Sequence, residues 1–564
     1  MLLEAVAGRF LAPSPIFERF LASYIDRAQN RGMEAPEDLV GGAWLARKYG
    51  LELVMPLATV SRVGGRRASH SEDGITRETF VEAMRPQTSL RGHLTFYLKH
   101  EAPHLEFLSR LFERCDPREL VDWYMSEPTG QYVRRACFLY EWLTGRQLAV
   151  EPSATVAYVD VLDADRVVAA SPDVATANRR WRVRDNMPGT PAFCPIVRKT
   201  PQVVESMALD VAGLLADLGR EFGEDLLMKS AVWMTLRESR SSFEIEGEAD
   251  AADRIQRFAG VLGRRTGQGD LPLAEAALAE LQSEILGRQT SLRQFGIRSS
   301  PVFVGEVRNY QEIVHYVAPP PEDLRPMLAG IATFIERTKG QSPIMRSAVA
   351  AFGFVYIHPL ADGNGRIHRF LVNDLLRRDG VVKEPIILPV SSHIDSDGAQ
   401  RHAYDRILEV ISRPLMISLA GHYAFGERIA YPDGITSNLL FTGDASARHV
   451  WRLMDLSAHV TYLADVVERT IKEEMREESR HMRNHARARV AIKDIIEMPD
   501  AQIDRIIRSI DAGKGVLTHA LTKEIPALEN DGVWDRVVAA VKSSFGDTPS
   551  GPMAIRYGPG RRPG

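Results

Sequence analysis

The stretch His358-Pro359-Leu360-Ala361-Asp362-Gly363-Asn364-Gly365-Arg366-Ile367-His368-Arg369 puts a base, a hard oxygen ligand, two glycines and two guanidinium groups into one short segment. Gly363 and Gly365 let the backbone turn tightly and bring its amides close to a ligand. A helix is predicted from about Gly365 to Arg378, so its free N–H groups and the positive end of its dipole face the same point. Arg366 and Arg369, three residues apart, share a helical face and offer two forked donors to phosphate oxygens. Asp362 suits Mg²⁺, which phosphate substrates usually bring with them. His358, closing the preceding helix, titrates near neutral pH and is placed to act as a base. On residue chemistry alone this is a phosphate site with a proton acceptor beside it.

Working outward, the run Ser342 to Ile357 is apolar almost throughout, as a buried central helix requires. A helix from about Glu322 to Arg337 precedes it, behind the break Pro319-Pro320-Pro321. Pro301-Val302-Phe303-Val304-Gly305 carries strand formers between turn signals. Pro201 to about Gly247 reads as helical, with Leu214, Leu215 and Leu218 on one face and a second apolar run from Leu226 to Thr235.

The twelve-residue stretch resembles the signature of the Fic family, His-Pro-Phe-x-Asp/Glu-Gly-Asn-Gly-Arg-x-x-Arg, with Leu360 in the phenylalanine position. That exchange alters packing rather than chemistry. The resemblance implies that His358 deprotonates a target hydroxyl, which attacks the α-phosphate of ATP with loss of pyrophosphate. It implies that Asp362 holds Mg²⁺ or Mn²⁺, and that Gly363, Asn364 and Gly365 form the anion hole. Arg366 would hold the β-phosphate region and Arg369 the γ-phosphate. The segment Ile297 to Glu306 is similar to the family's flap, in which Val302, Phe303 and Val304 would dock a target peptide by strand addition. Leu388-Pro389-Val390-Ser391 and Tyr404 resemble the family's continuation and are expected to shape the base pocket or pack the fold.

Upstream, Ser242-x-x-x-Glu246-Gly247 is similar to the inhibitory motif of many Fic proteins. A helix end at Gly247 would by itself account for so short a pattern. Its position ahead of the signature favours inhibition, with Glu246 pairing with Arg369 and consuming the donor that the γ-phosphate needs.

The expected fold is mainly α: a Fic-type helical bundle with a short β-hairpin flap, flanked by helical N- and C-terminal domains. Residues 1–165 read as mostly helical and of unknown role, 166–200 as a linker or long surface loop, and 201–290 as the helical segment carrying the inhibitory motif. The catalytic core is expected at 291–430 and a helical C-terminal domain at 431–564. A long charged helical stretch is predicted from about Ala445 to Glu497, followed by Asp500 to Ile510 and Val533 to Val541. The closing GPGRRPG reads as disordered. Between Arg476 and Arg489 lie five arginines and two histidines. They read as a solvated or partner-facing helix, with nucleic-acid binding as the sharper alternative. His368, His393 and His402 read as packing or surface residues, without zinc spacing.

The 564 residues are 45% hydrophobic and 26% charged, and 70 basic against 74 acidic residues leave a net charge of -4. Nothing there calls for a polyanionic partner or a membrane surface. Cys115, Cys137 and Cys194 are too few and too scattered for a disulfide framework and fit a reducing cytoplasm. The N-terminus lacks a secretory pattern, and no segment reaches the roughly 20 apolar residues of a membrane span. The expected activity is protein adenylyltransferase, with ATP and a target protein as partners, the target being another protein or the chain itself. A homodimer is left open. The alternatives are a related enzyme using UTP or another nucleotide donor, or removing AMP with Glu246 orienting water, and a nucleotide-binding transcriptional or interaction regulator.

Overall fold

Ser342 caps the helix Pro343–Ile357, its hydroxyl accepting from the Met345 amide at 3.4 Å, and Pro343 takes a first-turn position where no amide partner is needed. Every residue from Ile344 to Phe354 is buried, so this helix is the axis of the largest core. The helix Asn364–Arg378 returns alongside it, and the pair is tied by Arg346, whose guanidinium meets the Asp379 carboxylate at 2.7 and 3.1 Å. Around them pack Glu224–Ile245, Ala252–Arg265, Glu275–Leu286, Pro321–Arg337, Gly398–Ser418 and Ser457–Arg469. This computed structural model describes residues 38–72, 74–152, 155–248, 252–287, 290–308, 311–513 and 515–546.

The fold is mainly α, with small sheets only. Strand Phe303–Arg308 pairs antiparallel with Gln311–Val317, with a register shift between Val304 and Gly305. A second hairpin, Tyr423–Ala430 with Thr436–Phe441, lies downstream and has no counterpart in the sequence reading.

One expectation needs an addition and another a correction. Among the described residues before 166 helix outweighs strand, in Gly41–Lys48, Leu90–His100, Leu105–Arg114, Pro117–Ser126 and Gln131–Thr144, but a four-stranded sheet, ordered Leu39–Val40, Thr59–Gly64, Ile75–Val81, Ala68–Glu72, is present as well. Along Thr59–Gly64 the buried positions include Thr59 and Ser61, so the alternation that marks a strand is not apolar and escapes a hydrophobicity pattern. The segment 166–200 is not a surface loop. Its prolines and turn formers break periodicity, yet Val167, Trp181, Met187, Phe193, Cys194, Ile196 and Val197 are buried. Its backbone bonds to a distant part of the chain: the Cys194 amide to Arg452 O at 2.8 Å, and the Ile196 amide to Met454 O at 2.9 Å. Phe193 wedges under the central helices, where a Cβ on Gly330 would lie 2.6 Å from Phe193 Cβ and one on Gly353 3.0 Å from Phe193 Cζ.

The long C-terminal stretch is interrupted. Asp444–Arg452 ends before Ser457–Arg469, which runs through a wider π-helical turn, Thr470–Met475, into Arg476–Lys493. The last of these helices packs with Asp500–Gly513 and Val533–Phe545 around a separate apolar cluster that includes Ile492, Ile503, Ile506 and Val537. The closing GPGRRPG lies outside the described residues. All three cysteines are free and buried, and no helix among the described residues is long and apolar enough to cross a membrane.

Candidate active site

The central helix ends on His358, whose backbone adopts the left-handed conformation (φ 50°, ψ 55°) that non-glycine residues reach only at a cost. Its Nδ1 lies 3.1 Å from the Val355 carbonyl, which can only accept, so Nδ1 carries the proton and Nε2 is the basic nitrogen. Burial, and then the neighbouring Arg298 guanidinium, push the His358 pKa down to about 4. The imidazole is therefore neutral across the physiological range, as a proton acceptor must be.

The loop beyond is braced from within. Asn364 Oδ1 accepts from the Leu360 amide at 2.9 Å while its Nδ2 donates to the Leu360 carbonyl at 2.7 Å. Its side chain is thus committed to the loop, and Asn364 faces a ligand only through its backbone. Gln282 holds the turn from outside, donating to Asp362 O at 2.8 Å. Gly363, at φ 91°, precedes the helix and leaves its first amides open. The Asp362 side chain stays 46% exposed, 3.2 Å from Arg366 Nη2.

Arg369 is buried and held by the end of the helix Glu224–Ile245 and its cap residue Glu246. Its Nε donates to Ser242 Oγ at 2.8 Å, and Nη2 donates to Ser242 O at 3.0 Å and Glu246 Oε1 at 2.7 Å. Glu246 reaches it because the helix ends in a Schellman turn: the Glu248 amide bonds Phe243 O at 2.9 Å, the Gly247 amide bonds Glu244 O at 3.0 Å, and Gly247 takes φ 76°. The glycine that ends the helix also aims the carboxylate. A methyl group on Gly365 would collide with Glu246 Oε1, which places this carboxylate at the N-terminus of Asn364–Arg378, where an anion is favoured. Burial alone would raise the Glu246 pKa, but the charge and hydrogen bond of Arg369, and then the charge of Arg366, hold it below the usual carboxylate range. Arg366 is buried too, with its guanidinium 4.9 Å from the centre of the Phe243 ring, and its Nε has no hydrogen-bond partner.

The structure thus brings His358, Asp362, Gly363, Gly365, Arg366, Arg369, Ser242 and Glu246 into one site. Val302, Phe303 and Val304 lie at the start of the hairpin: Val304 is exposed, and the Phe303 ring meets Phe425 edge-on at 5.4 Å. His368 packs, its Nδ1 on Ala351 O at 2.8 Å. His393 is buried and His402 exposed.

Several residues escaped sequence reasoning. Glu238 lies two turns before Glu246, and its carboxylate accepts from Ser391 N and Oγ, both at 2.7 Å. Burial pushes its pKa up to about 7. The spacing Glu238, Ser242, Glu246, one helical face at four-residue steps, was the available signal. Arg401 donates to Ile245 O at 2.6 Å and closes the helix end, and Arg237 reaches Ser392, Glu474 and Glu478. Their partners are far off in the chain, and no local pattern announces them.

A family model covers the segment that carries the loop 358–369. The family model described as the Fic/DOC family matches residues 272–376. Protein adenylyltransferase fic-1 of Caenorhabditis briggsae is 31% identical over 120 residues, 21% of this chain and 22% of its own length. Protein adenylyltransferase Fic of Drosophila ananassae is 32% identical over 114 residues, 20% of this chain and 21% of its own length. The chain therefore spans about a fifth of the length of the curated relatives it matches. A crystal structure of a Fic family protein from Desulfovibrio desulfuricans shares 18% identity, covering 60% of this chain and 92% of its own at a TM-score of 0.35.

Proposed function

Taking residues 272–376 as a Fic/DOC family domain, we propose that the chain is a protein adenylyltransferase held in check by its own Glu246. One juxtaposition supports this reading above the rest. A carboxylate lies at an open helix N-terminus beside Gly365 and on Arg369, with a neutral histidine at the other end of the same loop. A carboxylate seated there stands in for a phosphate group, and the two arginines plus the free amides fit the polyphosphate of ATP.

His358 Nε2 takes the proton of the target hydroxyl, and the oxygen attacks the α-phosphate. The bond to the β-phosphate oxygen breaks, and pyrophosphate departs. Positioning and charge neutralisation carry most of such a reaction. Asp362, its carboxylate half exposed at the same loop, would hold a cation together with the phosphates, the usual arrangement for Mg²⁺, which would neutralise phosphate charge when bound. The flap offers its strand edge to an extended target segment.

Glu246 occupies the Arg369 fork, so ATP enters without its γ-phosphate properly held. Transfer of α-labelled phosphate from each of the four nucleoside triphosphates, with Mg²⁺, tests the reading. Glu246→Gly is expected to raise labelling from ATP at least tenfold, and adding His358→Ala to remove it by ~10²–10⁴-fold, the contribution of a positioned base. A folded, ATP-binding Glu246→Gly protein that transfers nothing would sink the assignment.

A further inference from the structure

We propose that Arg298 is a positioning residue that clamps the target-docking flap to the base His358, with Asp433 as the second jaw. The inference rests on the adenylyltransferase reading and adds to it how the hydroxyl and the base are kept in register.

Arg298 is 2% exposed, and its guanidinium is spent on carbonyls. Nε donates to His358 O at 2.8 Å, Nη1 to Ser300 O at 2.6 Å and Nη2 to Pro319 O at 2.6 Å. Ser300 is just ahead of the hairpin Phe303–Val317 and Pro319 just beyond it. One side chain therefore grips the flap where it leaves the body, where it returns, and at the turn that carries His358. The main chain repeats the link, since the Arg298 amide donates to Pro359 O at 2.9 Å and Ile297 bridges Leu360.

Asp433, in the turn of the second hairpin, closes the clamp from the other side. Its Oδ2 accepts from the amides of Ser299 and Ser300 at 2.9 Å each and from Ser300 Oγ at 2.8 Å. The Asp433 carbonyl accepts the Arg293 amide at 2.9 Å.

Two consequences follow from elementary physics. His358 sits in a strained left-handed backbone, and a buried guanidinium on its carbonyl holds that geometry in place. Misplacing a base or its substrate by about 1 Å costs on the order of 10²-fold in rate. The guanidinium charge adds to burial, the larger cause, in favouring the neutral imidazole. The charged groups that bear on His358 are Arg298, from the segment ahead of the flap, and Glu246, from the inhibitory helix, which acts in the opposite sense.

Lysine separates geometry from charge, because it keeps the cation but carries its donors on one nitrogen and cannot span the carbonyls that Nε, Nη1 and Nη2 meet separately. In the Glu246→Gly background, Arg298→Lys is expected to lower kcat for target modification at least tenfold. KM for ATP should stay within about twofold and the acid limb of the pH profile should not move. Arg298→Gln is expected to lose the same turnover and to move the acid limb up by about one pH unit. Equal turnover of Arg298→Lys and its parent overturns the proposal. So does a loss of ATP binding in step with turnover, which marks a merely structural role. If the arginine variants do not fold, Asp433→Asn carries the test: it leaves Arg298 and the His358 turn in place and loosens the flap root, so its loss must fall on KM for the target, and an unchanged target KM overturns the clamp. If Glu246→Gly transfers nothing, the adenylyltransferase reading fails separately. Amide hydrogen exchange across the hairpin Phe303–Val317 in the wild-type and Arg298→Lys proteins still reads the clamp. Faster exchange in the variant supports it, and unchanged exchange overturns it.

Discussion

Arg369 accepts no compromise: buried to 1% exposure, it must have its donors met either by Ser242 and Glu246 or by a ligand. Leaving a buried donor unmet costs about 1–3 kcal/mol, more for a charged group. Milder single changes on its partners should therefore grade inhibition, short of the release expected of Glu246→Gly. Glu246→Gln keeps the shape and removes the charge, and since a charge-assisted bond is roughly twice as strong as a neutral one, its auto-modification rate is expected between wild type and Glu246→Gly. Ser242→Ala, which loses the 2.8 Å bond to Nε, should also fall between them and lower the melting temperature. Equal rates for Ser242→Ala and wild type would show that Ser242 takes no part. The residues of 358–369 were legible because the chain delivers them consecutively, and Glu246 because it belongs to a short motif. Arg298, Asp433, Glu238 and Arg401 were not, because each is defined by a carbonyl or an amide elsewhere in the fold. A sequence shows donors and acceptors but not which distant backbone they meet.

At the scale of elements, the helix Glu224–Ile245 is held along its length: by Arg237 on Glu474 and Glu478, by Glu238 on Ser391, and at its end by Arg401 on Ile245 O. Its aim depends on Gly247. A Cβ there meets nothing within 4 Å, so Gly247→Ala pays only the backbone cost of φ 76°, about 1 kcal/mol. That cost falls on the turn that points Glu246. The variant is expected to melt a few degrees lower and to modify itself faster than wild type, with ATP binding intact; an unchanged modification rate would show that the aim does not depend on the turn. The helices of the core were readable from periodicity and caps, often to within a residue or two, as with Pro343–Ile357 and Asn364–Arg378. The sheet at Thr59–Val81 was not, since Thr59 and Ser61 take buried positions and Ala68–Glu72 is exposed on both faces.

Across the whole molecule, acid finds a common target in buried histidines. Burial pushes His93 and His368 down to about 4 and His449 and His459 down to about 3. Each stays neutral in the folded protein, while the unfolded chain takes up protons as pH falls below about 6.5. The histidine contribution to stability is therefore fully present above that value and drains away as pH falls toward 4, on the order of 3 kcal/mol each for the fully buried His368 and His459, while the buried carboxylate of Glu238 acts in the opposite sense. The melting temperature of His459→Phe should rise relative to wild type as pH is lowered from 6.5 to 4; a constant difference between the two proteins would exonerate the histidine. Phe193 has a different reach. It stands well ahead of residues 272–376, yet fills the space under Gly330 and Gly353. A fragment cut to the family segment, or begun at residue 200, would keep every catalytic side chain and lose the keystone beneath them. Grafting this segment into another scaffold as a cassette calls for carrying that strap along, or for refilling its hole with a side chain of the same girth.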